Sequence, residues 1–259
     1  MKQIVAVAVL SLAACVLTTR VVRAEGPGAC PTDSVPSGTV CVDKYEASVW
    51  ETTNAKLIAK IRAGTATLID LISAGAQQRG VLGDDYGPEC PATGNGCTNV
   101  YAVSIAGVVP SRFLTWFQAV AAARNSGKRL AASAEWQAAA LGTPDPGTDD
   151  GSTNCNVQNP LVPVTTGSRS GCVSDVSAFD MVGNLWEWVA DWVPLATDCV
   201  PSVFPSTSDF NCTAGADTTA GPGALLRGGA GDGPLAGVFA TIERLPTDAQ
   251  AYTGFRAVR

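Results

Sequence analysis

The sequence contains no histidine among its 259 residues. Histidine is the usual general base of serine and cysteine hydrolases and a common ligand of zinc and iron. Catalytic triads, histidine zinc sites and histidine-ligated iron are therefore excluded. Any catalysis would have to use carboxylates, hydroxyls or backbone groups.

Charged residues are also scarce, at 15% of the chain, whereas an average soluble protein has about 25%. The net charge is −6, and it becomes −9 if an N-terminal segment containing Lys2, Arg20 and Arg23 is removed. This acidic balance argues against nucleic acid or an anionic membrane surface as a partner.

Only one long apolar run is present, at residues 4–17, and it is too short to span a bilayer as a helix. Lys2 precedes this run and small residues lie at 22–24, so we predict a signal peptide over residues 1–24. The alternative is a lipoprotein signal cleaved before Cys15, which would leave a lipid anchor on that cysteine. We therefore expect an extracytoplasmic protein, secreted or periplasmic, or else lipid-anchored, with no membrane span.

Eight cysteines follow the export segment, and an even number in an exported chain predicts four disulfides. Of the 105 possible connectivities, we predict pairing in sequence order, because each neighbouring pair closes a short loop. The predicted disulfides are Cys30–Cys41, Cys90–Cys97, Cys155–Cys172 and Cys199–Cys212. The alternative, a thiol active site or a zinc cluster, has no C-x-x-C spacing in its favour.

The pattern predicts few regular elements between turn-rich segments. Residues 25–40 are expected to form an extended lead-in, and residues 40–46 alternate like a strand. One or two helices are predicted within 54–78, a loop stapled by its own cysteines at 83–99, and an irregular segment at 143–172.

Two further helices are predicted between these loops. In the first, Ser111 is the expected cap, apolar residues recur from Phe113 at helical spacing, and residues 125–127 form the stop. In the second, Ser133 is the expected cap and Glu135 lies in the first turn, where the helix dipole favours a carboxylate.

Four motifs occur in order along the chain: YEAS at 45–48, GKRLAASAEW at 127–136, FDMVGNLWEW at 179–188, and LRGG at 226–229 followed by GFR at 254–256. Together they resemble the formylglycine-generating enzyme family, also called the sulfatase-modifying factor family. The resemblance covers residues 41–259, which we interpret as one domain. It implies an α+β fold of the formylglycine-generating-enzyme type, similar to the C-type lectin topology, with little regular secondary structure and with disulfide staples.

The third motif combines a tight turn with two carboxylates. Gly183 and Asn184 favour the turn. We expect Trp186 and Trp188, which follow it, to place one ring on each face of the segment. The carboxylates of Asp180 and Glu187 are hard oxygen ligands of the kind that calcium prefers.

The resemblance implies a calcium site at this motif, formed by the side chains of Asp180 and Glu187 and the carbonyls of Gly183 and Leu185. It also places Glu46, Asn156 and Val157 at other calcium positions of the family. The alternative is structural: Asp180 caps the turn and Glu187 pairs with an arginine.

Arg129, Arg227 and Arg256 lie within the motifs, and each could bind an anionic ligand through its planar fork. The alternative is that they hold carboxylates and backbone carbonyls in a fold with little regular structure. Similarly, residues 145–150 with Asp145, Asp149 and Asp150 resemble a calcium loop, but a solvated turn is the preferred interpretation.

One departure from the family affects function. Active members carry two cysteines, five residues apart, that bind copper and oxidise a substrate cysteine, and at these positions this chain has Ala236 and Thr241. No cysteine follows Cys212, and neither alanine nor threonine supplies the soft thiolate that copper requires. The related iron branch uses histidines, which this chain lacks.

We therefore favour a non-catalytic, calcium-stabilised binding or structural module, a pseudoenzyme whose groove binds a peptide or small molecule. Calcium is the expected cofactor and copper is not expected. The alternative is an oxidoreductase of the family that acts on protein cysteine with relocated metal ligands. A purely structural envelope component is a third interpretation.

Overall fold

The computed structural model describes residues 28–145, 149–158, 162–200, 209–230 and 235–259. The predicted signal peptide and Cys15 lie outside these residues. Within the described ranges, no helix has the length and apolar character needed to cross a membrane.

Short helices and strands alternate with long loops along the described chain. The helices are α1 (Ala55–Arg62), α2 (Leu68–Ser73), α3 (Trp116–Asn125) and α4 (Ser133–Ala140). The strands are β1 (Ser34–Ser37), β2 (Val40–Asp43), β3 (Ser48–Glu51), β4 (Gln77–Arg79), β5 (Val100–Val103), β6 (Arg129–Leu130), β7 (Trp186–Leu195), β8 (Asn211–Cys212), β9 (Asp217–Arg227), β10 (Thr241–Arg244), β11 (Thr253–Phe255) and β12 (Ala257–Val258). The predicted lead-in thus contains β1, which pairs with β2.

The first two helices confirm the prediction for residues 54–78. Asn54 caps α1 by accepting hydrogen bonds from the backbone N–H groups of Lys56 and Leu57. Thr67 and Asp70 form a reciprocal capping box at the start of α2, which satisfies two N–H groups that have no partner within the helix.

Helix α3 begins later than predicted. Its cap is Thr115, which forms a capping box with Gln118. Phe113 has φ 56°, a left-handed conformation that a continuing helix excludes. Ser111 instead lies buried between strands, where its hydroxyl accepts from the Val49 N–H (2.7 Å) and donates to the Arg79 carbonyl (2.6 Å).

The cap predicted for α4 is also wrong by one residue. Ala132 is the cap position, and the Glu135 carboxylate accepts the Ala132 N–H at 2.8 Å. Ser133 is the first helical residue, and its N–H donates to Asp191. The carboxylate in the first turn was therefore the stronger signal for this helix start.

Three sheets organise the strands. The first has the order β1-β2-β12-β6, the second β11-β7-β9-β10-β8, and the third β4-β3-β5. Strand β7 lies between β11 and β9, so the third motif continues directly into the interior of the largest sheet.

The main core packs against this sheet and helix α3. Trp186 and Trp188 belong to the same buried cluster as Leu226 and Phe255. The expectation of one ring on each face was wrong, because residues two apart in a strand share a face.

The eight cysteines of the described residues form the four disulfides predicted from sequence order: Cys30–Cys41, Cys90–Cys97, Cys155–Cys172 and Cys199–Cys212. Their sequence separations are 11, 7, 17 and 13 residues. Each disulfide therefore staples a local loop. Such crosslinks stabilise a fold mainly by restricting its unfolded chain.

Candidate functional site

The turn of the third motif rests directly on the backbone near residue 156. Gly183 has φ +75°, and a Cβ at this position would lie 2.3 Å from the Asn156 carbonyl oxygen. Asn184 is also left-handed, at φ 61°, and its N–H donates to the same carbonyl at 2.8 Å. Only glycine allows this approach at position 183.

Asn184 joins three segments of the chain, a role that the sequence pattern did not indicate. Its amide nitrogen donates to the Glu46 carboxylate, and its oxygen accepts from the Asn156 amide (3.1 Å) and the Val164 N–H (2.8 Å). The N–H of Leu185 donates to the other Glu46 oxygen at 3.1 Å. Glu46, Asn156, Asn184 and Leu185 therefore meet in one hydrogen-bonded cluster.

Glu187 pairs with an arginine, as the alternative interpretation stated. Its Oε1 lies 2.9 Å from Arg256 Nη2, and its Oε2 accepts from Trp136 Nε1 at 2.6 Å and from Arg256 Nε at 3.2 Å. Arg256 also donates to the carbonyls of Asp43 (2.9 Å) and Phe179 (2.6 Å). Both Glu187 oxygens are thus committed to protein donors.

The charges around Arg256 are unbalanced. Asp180, which accepts the Gly167 N–H at 2.7 Å, has its pKa raised to about 6 because burial disfavours the ionised form. The pKa of Glu46 is raised well above its usual value, first by burial and then by the nearby carboxylates of Asp180 and Glu187. Three buried carboxyl groups therefore lie near the Arg256 guanidinium, and the Arg169 guanidinium acts in addition on Asp180.

Carboxyl groups in excess of the nearby cations, with their hard oxygen donors, fit a divalent cation, which would favour their ionised forms. Among the described residues, no group of three or more acidic or cysteine side chains could hold a metal by itself, so backbone carbonyls would have to contribute. Glu187 would have to exchange Arg256 for the metal. Val157 packs in an apolar cluster and could offer only its backbone.

A second buried charge network lies beside the first, and sequence reasoning missed it. Lys128 lies 2.8 Å from Asp33 and 2.5 Å from Asp43, and Arg259 lies 2.8 Å from Asp33. Burial raises the pKa of Asp43 to about 6 in spite of Lys128. The second motif contains Lys128, but its partners Asp43 and Asp33 are 85 and 95 residues away in sequence, which hid the network.

The two positions at which the family carries its cysteine pair have different environments. Ala236 is fully buried beside the Cys155–Cys172 disulfide and Val182. Thr241 accepts a hydrogen bond from Arg227 and donates to the Phe239 carbonyl at 3.3 Å. Neither position presents a group that could act as a soft metal ligand.

Thr241 lines an open groove of about 320 Å³ that crosses strands β7, β9, β10 and β8 of the largest sheet. Its other lining residues are Gln137, Val193, Asn211, Thr213, Leu225, Arg227 and Phe239. The groove therefore combines apolar walls with one buried cation.

The remaining predicted site residues have structural contacts. Arg129 pairs with Glu135 through two contacts of 2.7 Å. Asp150 accepts the backbone N–H groups of residues 152–154, and Asp149 lies 3.2 Å from Arg169. Asp150 therefore closes a turn over residues 150–154, whereas residues 146–148 of the predicted segment lie outside the described residues.

A model of the "Sulfatase-modifying factor enzyme 1-like domain" family matches residues 16–259. The chain therefore belongs to this family, as its four motifs predicted, and it has the α+β fold of that family, with short helices, mixed sheets and disulfide staples. The formylglycine-generating enzyme of Thermomonospora curvata is 35% identical over 101 residues, which cover 32% of this chain and 33% of that relative.

Solved structures resemble the chain at lower identity. The M1 variant of Major Tropism Determinant is 18% identical with a TM-score of 0.46, covering 90% of this chain and 54% of its own. CarF is 15% identical with a TM-score of 0.45 and 85% coverage of both chains. PvdO from Pseudomonas aeruginosa is 15% identical with a TM-score of 0.41, covering 87% of this chain and 82% of its own.

Proposed function

We propose that the chain is an exported, non-catalytic member of its family, a binding module that uses the groove beside Thr241. One observation carries this proposal: the eight described cysteines are all paired in disulfides, while Ala236 and Thr241 occupy the positions of the family's catalytic pair. Thiolate ligands for copper are therefore missing where the family's chemistry needs them.

The four disulfides support folding in an oxidising compartment. The proposed export route is a signal peptide over residues 1–24, with lipoprotein cleavage before Cys15 as the alternative. The intact mass of the mature protein distinguishes the two, because lipidation begins the chain at Cys15 and adds acyl chains to it.

The test of the non-catalytic role is a free-thiol count and a copper titration on the folded mature protein. Reduced, unfolded protein is the positive control for thiol detection. We expect no reactive thiol and no stoichiometric copper. Copper bound together with two reactive thiols would overturn the proposal in favour of an oxidoreductase with relocated ligands.

The proposal includes a structural calcium ion at Asp180, with Glu46 and the carbonyls of Gly183 and Leu185 as further candidate ligands. The three carboxylates around Arg256 support it, because a divalent cation would offset their excess charge. A site with a Kd of about 10⁻³ to 10⁻⁴ M would add about 0.4 to 1.4 kcal/mol of stability at about 1 mM calcium.

Urea unfolding with calcium or with a chelator tests this part. The Asp180→Asn variant keeps the side-chain shape and should lose the calcium effect, whereas Asp70→Asn, on helix α2, should retain it. If calcium leaves the wild-type midpoint unchanged, the calcium part of the proposal is wrong.

A further inference from the structure

The described part of the chain buries four cations: Lys128, Arg169, Arg227 and Arg256. Arg227 differs from the other three in its partners. Lys128, Arg169 and Arg256 each form an ion pair with a buried carboxylate. Within the described ranges, Arg227 forms none.

The partners of the Arg227 guanidinium are neutral. Its terminal nitrogens donate to the Thr241 hydroxyl, to the Gln137 amide oxygen and, at 3.2 Å, to the Val238 carbonyl. The Arg227 Nε is buried without a hydrogen-bond partner. Burial lowers the pKa of the Arg227 guanidinium to about 10. A buried charge of this kind is costly unless an opposite charge pairs with it.

The same guanidinium lines the groove. The Arg227 side chain is held 5.0 Å from the centre of the Trp136 ring, which fixes its position before any ligand arrives. Val193, Leu225 and Phe239 supply apolar lining nearby, and the volume of about 320 Å³ suits a small molecule or one peptide side chain.

From these observations we infer that the groove binds a ligand that carries a carboxylate on a small apolar body, with the carboxylate on Arg227. This inference rests on the proposed binding function and names its ligand class. The Thr241 hydroxyl and the Gln137 amide can both rotate to donate to such a ligand.

A carboxylate is favoured over a phosphate by the surrounding charge. The carboxylates of Asp209 and Asp191 act on Arg227 from beyond ion-pair distance. These two carboxylates already offset part of the Arg227 charge. The groove therefore offers at most one positive charge, which a carboxylate monoanion matches and a phosphate dianion exceeds.

The experiment is an NMR titration of the mature protein with three probes that share one phenyl body: 3-phenylpropionate, 3-phenylpropanol and 3-phenylpropyl phosphate. We expect the carboxylate to bind with a Kd of about 1 mM or lower and at least about tenfold more tightly than the other two. Arg227→Gln should weaken carboxylate binding at least about tenfold. Arg124→Gln, at an exposed position on α3, is the matched control and should bind like wild type.

A second variant guards against misfolding of Arg227→Gln. Thr213 is an exposed residue at the groove, so Thr213→Trp should fold and should block carboxylate binding by occlusion. Tighter binding of the phosphate, equal binding of the alcohol, unchanged binding by Thr213→Trp, or no binding of any probe up to about 10 mM would overturn the inference. Those outcomes leave the non-catalytic role standing, because the thiol and copper tests do not involve Arg227.

Discussion

Arg256 and Arg227 are both buried arginines within glycine-containing motifs, yet their surroundings differ. Arg256 meets Glu187 through two hydrogen bonds and has two further carboxylates nearby. Arg227 donates only to neutral oxygens, lines a groove and has a buried Nε without a hydrogen-bond partner. Arg256 therefore stabilises the fold through its ion pair, whereas Arg227 can pair with an anionic ligand.

Replacing Arg256 with methionine should have the largest effect on stability. It leaves Glu187, Glu46 and Asp180 buried without their cation, and breaking a buried pair in this way costs about 3 to 5 kcal/mol. Urea unfolding measures the loss. Arg129→Met, which breaks an exposed pair, should cost less than about 1 kcal/mol, and equal costs for the two variants would contradict the distinction.

Gly183→Ala should destabilise the Glu46 side of the same cluster by about 3 kcal/mol. The new methyl would meet the Asn156 carbonyl at 2.3 Å in a left-handed conformation. Gly107→Ala is the matched control, because its φ is +78° but nothing lies within 4 Å of its Cβ position. Thermal unfolding should show a loss of only about 1 kcal/mol for the control, and similar losses would rule out the steric explanation.

The second charge network makes a prediction about pH. Since the pKa of Asp43 is raised to about 6 by burial, its contribution to stability is present below pH 4 and is lost as the pH rises through 6. The stability of Asp43→Asn relative to wild type should therefore increase across this window, by at most about 3 kcal/mol. Two neighbouring charges also act on the Asp43 pKa: Lys128 lowers it and Asp33 raises it.

Asp70→Asn is the control for the sign of this effect. Hydrogen bonds from Lys60 and Thr67 lower the pKa of Asp70 to about 2, so the stability of this variant relative to wild type should fall as the pH rises towards 4. Urea titrations in chelator at several pH values measure both variants. A flat profile for Asp43→Asn would show that Lys128 fully compensates the burial of Asp43.

Arg227→Met should have the smallest effect on stability, about 1 kcal/mol, because it breaks no ion pair of the described residues. The same variant should lose binding of 3-phenylpropionate. Comparison of its unfolding midpoint with that of Arg256→Met tests the contrast directly. A loss as large as that of Arg256→Met would make Arg227 a structural residue.

The sequence predicted the disulfides, the helices in 54–78 and the family, because each depends on local spacing or on a contiguous motif. It failed at the start of α3, where the left-handed Phe113 interrupts an apolar pattern that looked continuous. It also left open whether Glu187 binds metal or arginine, because the partner, Arg256, is 69 residues away. Asn184 was interpreted only as a turn residue, since its three partners come from distant loops.

The position of β12 sets the order in which this fold can form. Val258 pairs with Val42 and also with Arg129, so the β1–β2 pair is not joined to β6 until β12 has emerged. The local disulfide loops can close long before then, and they shorten the chain that must search for the final contact. A folding intermediate that has its disulfides but lacks β12 would therefore expose unpaired edges of β2 and β6, and another strand could pair with them.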